Sequence, residues 1–212
     1  MADQLCTTAQ VKARLQTSAG GVTFTAADDT LISELIDQVS SYIEHVTGRK
    51  FVADNAATYV FDTIEGTTLR IPYGIRAITS MGVNNQSHQP DSAGTYTTIP
   101  AADRLLRPKA QDAPIGWPFF EVRITRGTLT GTVSRFGRID NGCTITGDFG
   151  FATTPPDIQG VALDASVAAY QNRKAGASGV IGADGSPIIP WANFFMRGSP
   201  QRSTLDRYSV FA

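Results

Sequence analysis

Apolar residues recur every three or four positions through the first fifty residues and again beyond residue 155, whereas the stretch between alternates in twos. A change of period of this kind separates helical from strand-forming sequence. The strongest helical run places Leu31, Ile32, Leu35, Ile36, Val39, Tyr42, Ile43 and Val46 on one face. Thr25 and Asp28 stand at capping-box spacing before it, with Asp28, Asp29 and Glu34 near the positive end of the helix dipole. Gly48, followed by Arg49 and Lys50, marks its end. A shorter helix is predicted upstream, with Thr7 and Gln10 as a second capping box and Val11 and Leu15 as its contact line; Gly20-Gly21 breaks it.

From about Thr58 to Thr154 the runs are short and alternating. Thr58 to Asp62 and Thr68 to Pro72 flank Glu65-Gly66, which predicts a hairpin turn, and Ile75 to Val83 follows as a further strand. Phe120, Val122 and Ile124 alternate with Glu121, Arg123 and Thr125, as in a half-buried strand. Thr128 to Phe136 is another run, and Asp140-Asn141-Gly142 predicts a turn before Cys143 to Thr146. Sixteen of the 24 threonines fall between Thr58 and Thr154, which suits β-structure because branched side chains pack on a pleated surface. An antiparallel unit of six or seven short strands is expected.

Pro155-Pro156-Asp157 restarts helix. Ile158, Val161, Ala162, Ala165, Ala168 and Ala169 form a small-residue face that allows close helix packing, and the natural partner is the earlier long helix. The expected fold class is therefore α+β: a helical core (long helix 28–47 packed on helix 156–174) with an inserted antiparallel β unit and an extended C-terminal arm. The expected division is residues 1–50 with 155–175 as helical core, 51–154 as β unit, and 176–212 as loop and arm.

Composition narrows the function. The chain has 212 residues, 17% of them charged, with 18 basic and 19 acidic residues for a formal net charge of −1. A dedicated nucleic-acid binder would carry a basic excess. No apolar run approaches the roughly 20 residues of a membrane span, and the N-terminus lacks a signal-peptide pattern, so synthesis in the cytoplasm is expected. Cys6 and Cys143 form neither a disulfide framework nor a metal-ligand spacing.

Catalytic chemistry finds little support. Only His45 and His88 could serve a hydrolase as base. His45 reads as a partly exposed helix residue, and His88 lies in a polar loop. Asp28 and Asp29 are explained by helix-end capping. The glycines of 176–185 lack the lysine and preceding strand of a phosphate loop. No catalytic residue, metal site or cofactor is expected.

The most informative feature is the C-terminal stretch, where Trp191, Phe194, Phe195, Tyr208 and Phe211 lie among Arg197, Arg202 and Arg207. Arginine and aromatic residues dominate interface hot spots, so these eight are the candidate partner-interface residues. The competing reading is that the stretch folds back on its own core. Residues 168–212 carry five cations and two acids, a net +3, against −4 for the preceding 167 residues. An anionic body with a cationic arm suits head-to-tail contact between copies.

Four segments in this order resemble the head–tail connector (adaptor) proteins of long-tailed bacteriophages and gene transfer agents. They are Thr8 to Leu15 with Asp28 to Ile36; Ile43 to Arg49; Gly116-Trp117-Pro118 with Thr146 to Phe151; and Pro155 to Ile158 leading to Ala169 through Arg173. The resemblance implies a non-enzymatic structural virion protein in the neck, made in the host cytoplasm. It implies a homo-oligomeric ring, usually of twelve copies, beneath the portal protein. Such a ring extends the channel for double-stranded DNA without sequence-specific binding, and docks a stopper or tail-completion protein. By the same resemblance, Trp191 to Ala212 is the portal-docking arm. The alternatives are another virion interaction protein, such as a tail terminator or decoration protein, and a cryptic hydrolase.

Overall fold

A computed structural model describes residues 3–19, 23–84, 96–108, 116–125, 135–174, 195–196 and 198–209. The chain divides into two compact units, residues 1–52 with 154–212 and residues 53–153. The class is α+β.

The first unit is helical, with α1 (Thr8–Ala19), α2 (Ala26–Thr47), α3 (Pro156–Lys174) and the short α4 (Pro200–Asp206). Both predicted capping boxes form. Gln10 N–H donates to Thr7 Oγ1 while Thr7 N–H donates to Gln10 Oε1, and Thr25 with Asp28 repeats the exchange at the start of α2. Gly48 ends α2 in the left-handed conformation (φ 65°), where a side chain would be strained. α3 packs on α1 and α2. Ala162 and Ala165 are fully buried at that contact, together with Ile32, Ile36 and Val39 of α2. Ala168, expected on the same face, is only half-buried; Ser166 and Tyr170 are buried in its place.

The second unit is a six-stranded antiparallel sheet: β1 (Asp54–Thr63), β2 (Thr68–Asn84), β3 (Tyr96–Thr98), β4 (Arg104–Arg107), β5 (Phe119–Ile124) and β6 (Ile139–Phe149). The strand order is β1-β6-β2-β5-β4, with β3 also on β2. Alternating residues of β2, β5 and β6 (Leu69, Ile71, Val122, Ile145 and Phe149 among them) point into one core.

Three local expectations change. β1 and β2 are not a hairpin about Glu65-Gly66: β6 lies between them and pairs with both, and Gly66 instead bridges Phe136. The two runs at 68–72 and 75–83 are one strand, β2, whose register with β5 shifts between Arg70 and Ile75 around Gly74 (φ 74°). Asp140-Asn141-Gly142 is an irregularity within β6 rather than a turn. There Asn141 takes φ 53°, its N–H donates to Asp62 Oδ1, and four steps along β6 match two along β1. The Thr128–Phe136 run lies outside the described residues except for Arg135 and Phe136.

Candidate functional site

The C-terminal stretch brings together several of the sequence's candidate residues. Ser199 caps α4, its hydroxyl accepting Arg202 N–H at 3.0 Å, and Pro200 at the first helical position suits that start. Leu205 on α4 is fully buried, and Tyr208 just beyond is 6% exposed. The stretch expected as an extended arm therefore contains a folded piece. A seven-residue helix with a buried leucine, and a buried tyrosine just beyond it, has apolar area to remove from water, which an extended strand at the surface would leave exposed.

Tyr208 sits where three segments of the helical unit meet. Its hydroxyl donates to the Asp157 carboxylate, 2.9 and 3.0 Å from the two oxygens. Its ring stands edge-on to Phe51 at 5.6 Å, and its carbonyl accepts from Arg49 Nε. Burial first, and the Asp157 contact second, push the Tyr208 hydroxyl up to about 12. Burial lowers Arg49 from its ordinary value but leaves it charged at neutral pH. Arg207 lies 3.6 Å from Asp157, with most of its side chain in solvent.

Phe195 is buried against Tyr42 of α2, ring centroids 4.9 Å apart. Arg202 pairs with Asp206 one turn along α4. Next to Phe195, Met196 is 61% exposed. Of the candidate interface residues, then, Phe195 and Tyr208 are buried within the unit, while Arg202 and Arg207 stand at its surface. Trp191, Phe194, Arg197 and Phe211 lie outside the described residues.

Of the residues that seat these anchors, Tyr42 lies on the apolar face predicted for the long helix and Arg49 and Asp157 at predicted helix ends, but no local pattern in the sequence links them or Phe51 to the C-terminal stretch. Asp157 reads there only as an acidic residue in the first turn of a helix. Phe51, an apolar residue just past the Gly48 stop, is a further signal.

A second constellation joins the start of α2 to the end of α3. Asp28 accepts from Thr25, from the Tyr170 hydroxyl at 3.0 Å, and pairs with Lys174 at 2.7 Å. Lys174, then the Thr25 bonds, hold the Asp28 carboxyl well below the usual carboxylate range. Asp29 pairs with Lys12 of α1. Both acids thus have structural partners. His45 is exposed on the last turn of α2, and His88 lies outside the described residues. Burial pushes the Cys143 thiol up to about 12 and raises Cys6, so neither is prepared as a nucleophile. Among the described residues, no group of three or more His, Cys, Asp or Glu side chains could hold a metal ion, and no helix is long and apolar enough to cross a membrane.

Comparison with solved structures finds a similar fold elsewhere. A chain from the neck of an empty GTA particle, computed with C6 symmetry, superposes with a TM-score of 0.51 at 15% identity. The match covers 94% of this chain and 88% of that one. The two share a fold. A chain from the virion of a native gene transfer agent (GTA) particle gives a TM-score of 0.49 at 15% identity, covering 94% and 88%. One from the neck of a native GTA particle computed with C12 symmetry gives 0.44 at 14%, covering 95% and 86%. No protein-family model and no curated protein sequence matches the chain.

Proposed function

We propose that this chain is a structural protein of a virion neck, and within the neck the head-to-tail adaptor. The observation that carries the reading is the fold shared, over 94% of this chain, with a chain from the neck of a GTA particle. In this reading the copies close into a ring beneath the portal protein, twelve by the sequence resemblance. The ring extends the DNA channel and presents a surface to a stopper or tail-completion protein. The chain performs no catalysis there.

Elementary electrostatics supports the role. Each phosphate neutralised by a protein cation adds to DNA binding, so a channel through which DNA slides is better built from a near-neutral chain. A low charge content also suits flanks that meet identical copies, since charged residues are depleted at interface cores.

The C-terminal segment is the proposed portal-docking element. Phe195, Leu205 and Tyr208 anchor it to the helical unit, which leaves Met196, Arg202 and Arg207 on its outer side for the partner. Trp191, Phe194, Arg197 and Phe211 complete the proposed interface.

Native mass spectrometry of the full chain, alone and released from purified particles, tests the assembly. A discrete ring-sized species is expected. Finding only monomers both in solution and in particles would overturn the ring.

A further inference from the structure

The two lateral edges of the β unit are chemically unlike. Among the described residues, β1 is the last strand on one side of the sheet and β4 on the other. Beside β1 and β6 stand Asp54, Asp62, Glu65, Asp140 and Asp148. Arg76, Arg135 and Arg138 offset three of those five charges. The opposite side, formed by β4, β5 and the start of β2, holds Arg70, Arg104, Arg107 and Arg123 against Asp103 and Glu121. Among the described residues, one edge is thus net −2 and the other net +2.

Among the described residues, the register leaves the basic edge with more arginines than carboxylates. Glu121 lies opposite both Arg70 and Arg107, so one carboxylate faces two guanidinium groups. Arg123 lies opposite Thr68 and Leu105, neither of which is charged. Arg104 Nη2 donates to the carbonyls of Ile78 and Thr79, while Arg104 Nη1, Arg107 Nε and, on the acidic side, Arg76 Nε are shielded from water and have no hydrogen-bond partner among the described residues. On the acidic side, Val60 of β1 is 48% exposed, and Asp62 and Asp140 are exposed too.

The geometry points to an edge-to-edge contact between two copies of this chain, the carboxylates beside β1 of one copy meeting the arginines of β4 and β5 of the next. This rests on the ring reading above and gives the ring an interface. A strand at a sheet edge is a template for pairing, and complementary potentials steer the approach. Pairing like edges would set carboxylates against carboxylates or arginines against arginines, which is repulsive. Only the head-to-tail arrangement matches unlike charges. That contact is heterologous, uses one edge and leaves the other open, and so propagates from copy to copy; it closes into a ring where the rotation between copies closes, as the ring reading requires.

The test uses two full-length charge variants. Arg107→Glu with Arg123→Glu makes both edges acidic; Val60→Lys with Asp140→Lys makes both basic. Each variant alone is expected to self-associate at least about tenfold more weakly than the wild type by sedimentation velocity, and an equimolar mixture to recover ring-sized species by alternation. Circular dichroism checks that both variants fold. Disulfide trapping between a Val60→Cys copy and a Leu105→Cys copy gives a second readout, with cross-linked pairs expected on mixing. Wild-type rings that both charge variants form equally well, without such cross-links, would overturn the edge contact and leave the ring reading standing. Cross-linked pairs with no ring-sized species anywhere would support the contact and overturn the ring; absence of both would overturn the two together.

Discussion

Tyr208 donates its hydroxyl proton to Asp157, a residue 51 positions earlier, and the bond closes the C-terminal segment onto the first turn of α3. The Tyr208 ring is buried edge-on to Phe51, and the bond itself is part-buried, since Asp157 keeps 36% of its side chain exposed. It converts an aromatic residue of an apparent free arm into part of the helical unit's core.

Removing that hydroxyl alone should therefore weaken the fold. Tyr208→Phe is expected to lose about 1.5–3 kcal/mol, the range for a hydrogen bond to a charged group, towards the lower end because the bond is part-buried. Urea denaturation of the two proteins measures it, and an unchanged midpoint would contradict the placement of Tyr208.

The same bond fixes a pH dependence. An unfolded tyrosine ionises near about pH 10, whereas burial and Asp157 push Tyr208 up to about 12. The folded-state pKa is raised, so the stability it carries is complete below about pH 10 and is lost as the pH rises through 12. The stability gap between wild type and Tyr208→Phe should accordingly shrink over that interval, as followed by thermal melts.

At the other end of α3 the sign reverses. Asp28 is held below the ordinary carboxylate range by Lys174 and Thr25, so its contribution is present above about pH 4 and disappears as the pH falls. Asp28→Asn should be less stable than wild type at pH 7, and the two should converge on acidification. A gap that widens in acid would refute the assignment.

Two glycines should respond oppositely to alanine. A Cβ on Gly147 would lie 2.1 Å from the Ala77 carbonyl oxygen, a backbone atom of the paired strand. Gly147→Ala is expected to cost about 3 kcal/mol or more, because β2 and β6 must separate. Gly160 in α3 has open space at that position, and Gly160→Ala should gain about 0.4–1 kcal/mol by restricting the unfolded chain. Denaturation midpoints of the pair check both signs.

What could be read from sequence was what depends on neighbours in sequence. The caps at Thr7 and Thr25, the stop at Gly48 and the buried stripe through Ile32, Ile36 and Val39 all arise within a turn or two of helix. Strand order does not. Glu65-Gly66 has turn chemistry, yet β6 lies between its flanking strands because Tyr59 pairs with Ile145 and Met81 also pairs with Ile145. Asn141 and Gly142 supply the positive-φ tendency of a turn, and the sheet uses it for an irregularity held by Asp62. For the candidate site, the interface-like composition of the C-terminal stretch was visible. That Phe195 would lie on Tyr42 and Tyr208 on Asp157 was not, since those contacts bridge segments with no shared local pattern.

As proposed, this chain is a neck component arranged as a ring. An electron-microscopy reconstruction of the particle neck tests it most directly. The account predicts a closed ring of identical copies directly beneath the portal, each with its C-terminal segment turned toward the portal. Density for this chain in the tail or on the capsid surface, and none in the neck, would contradict it.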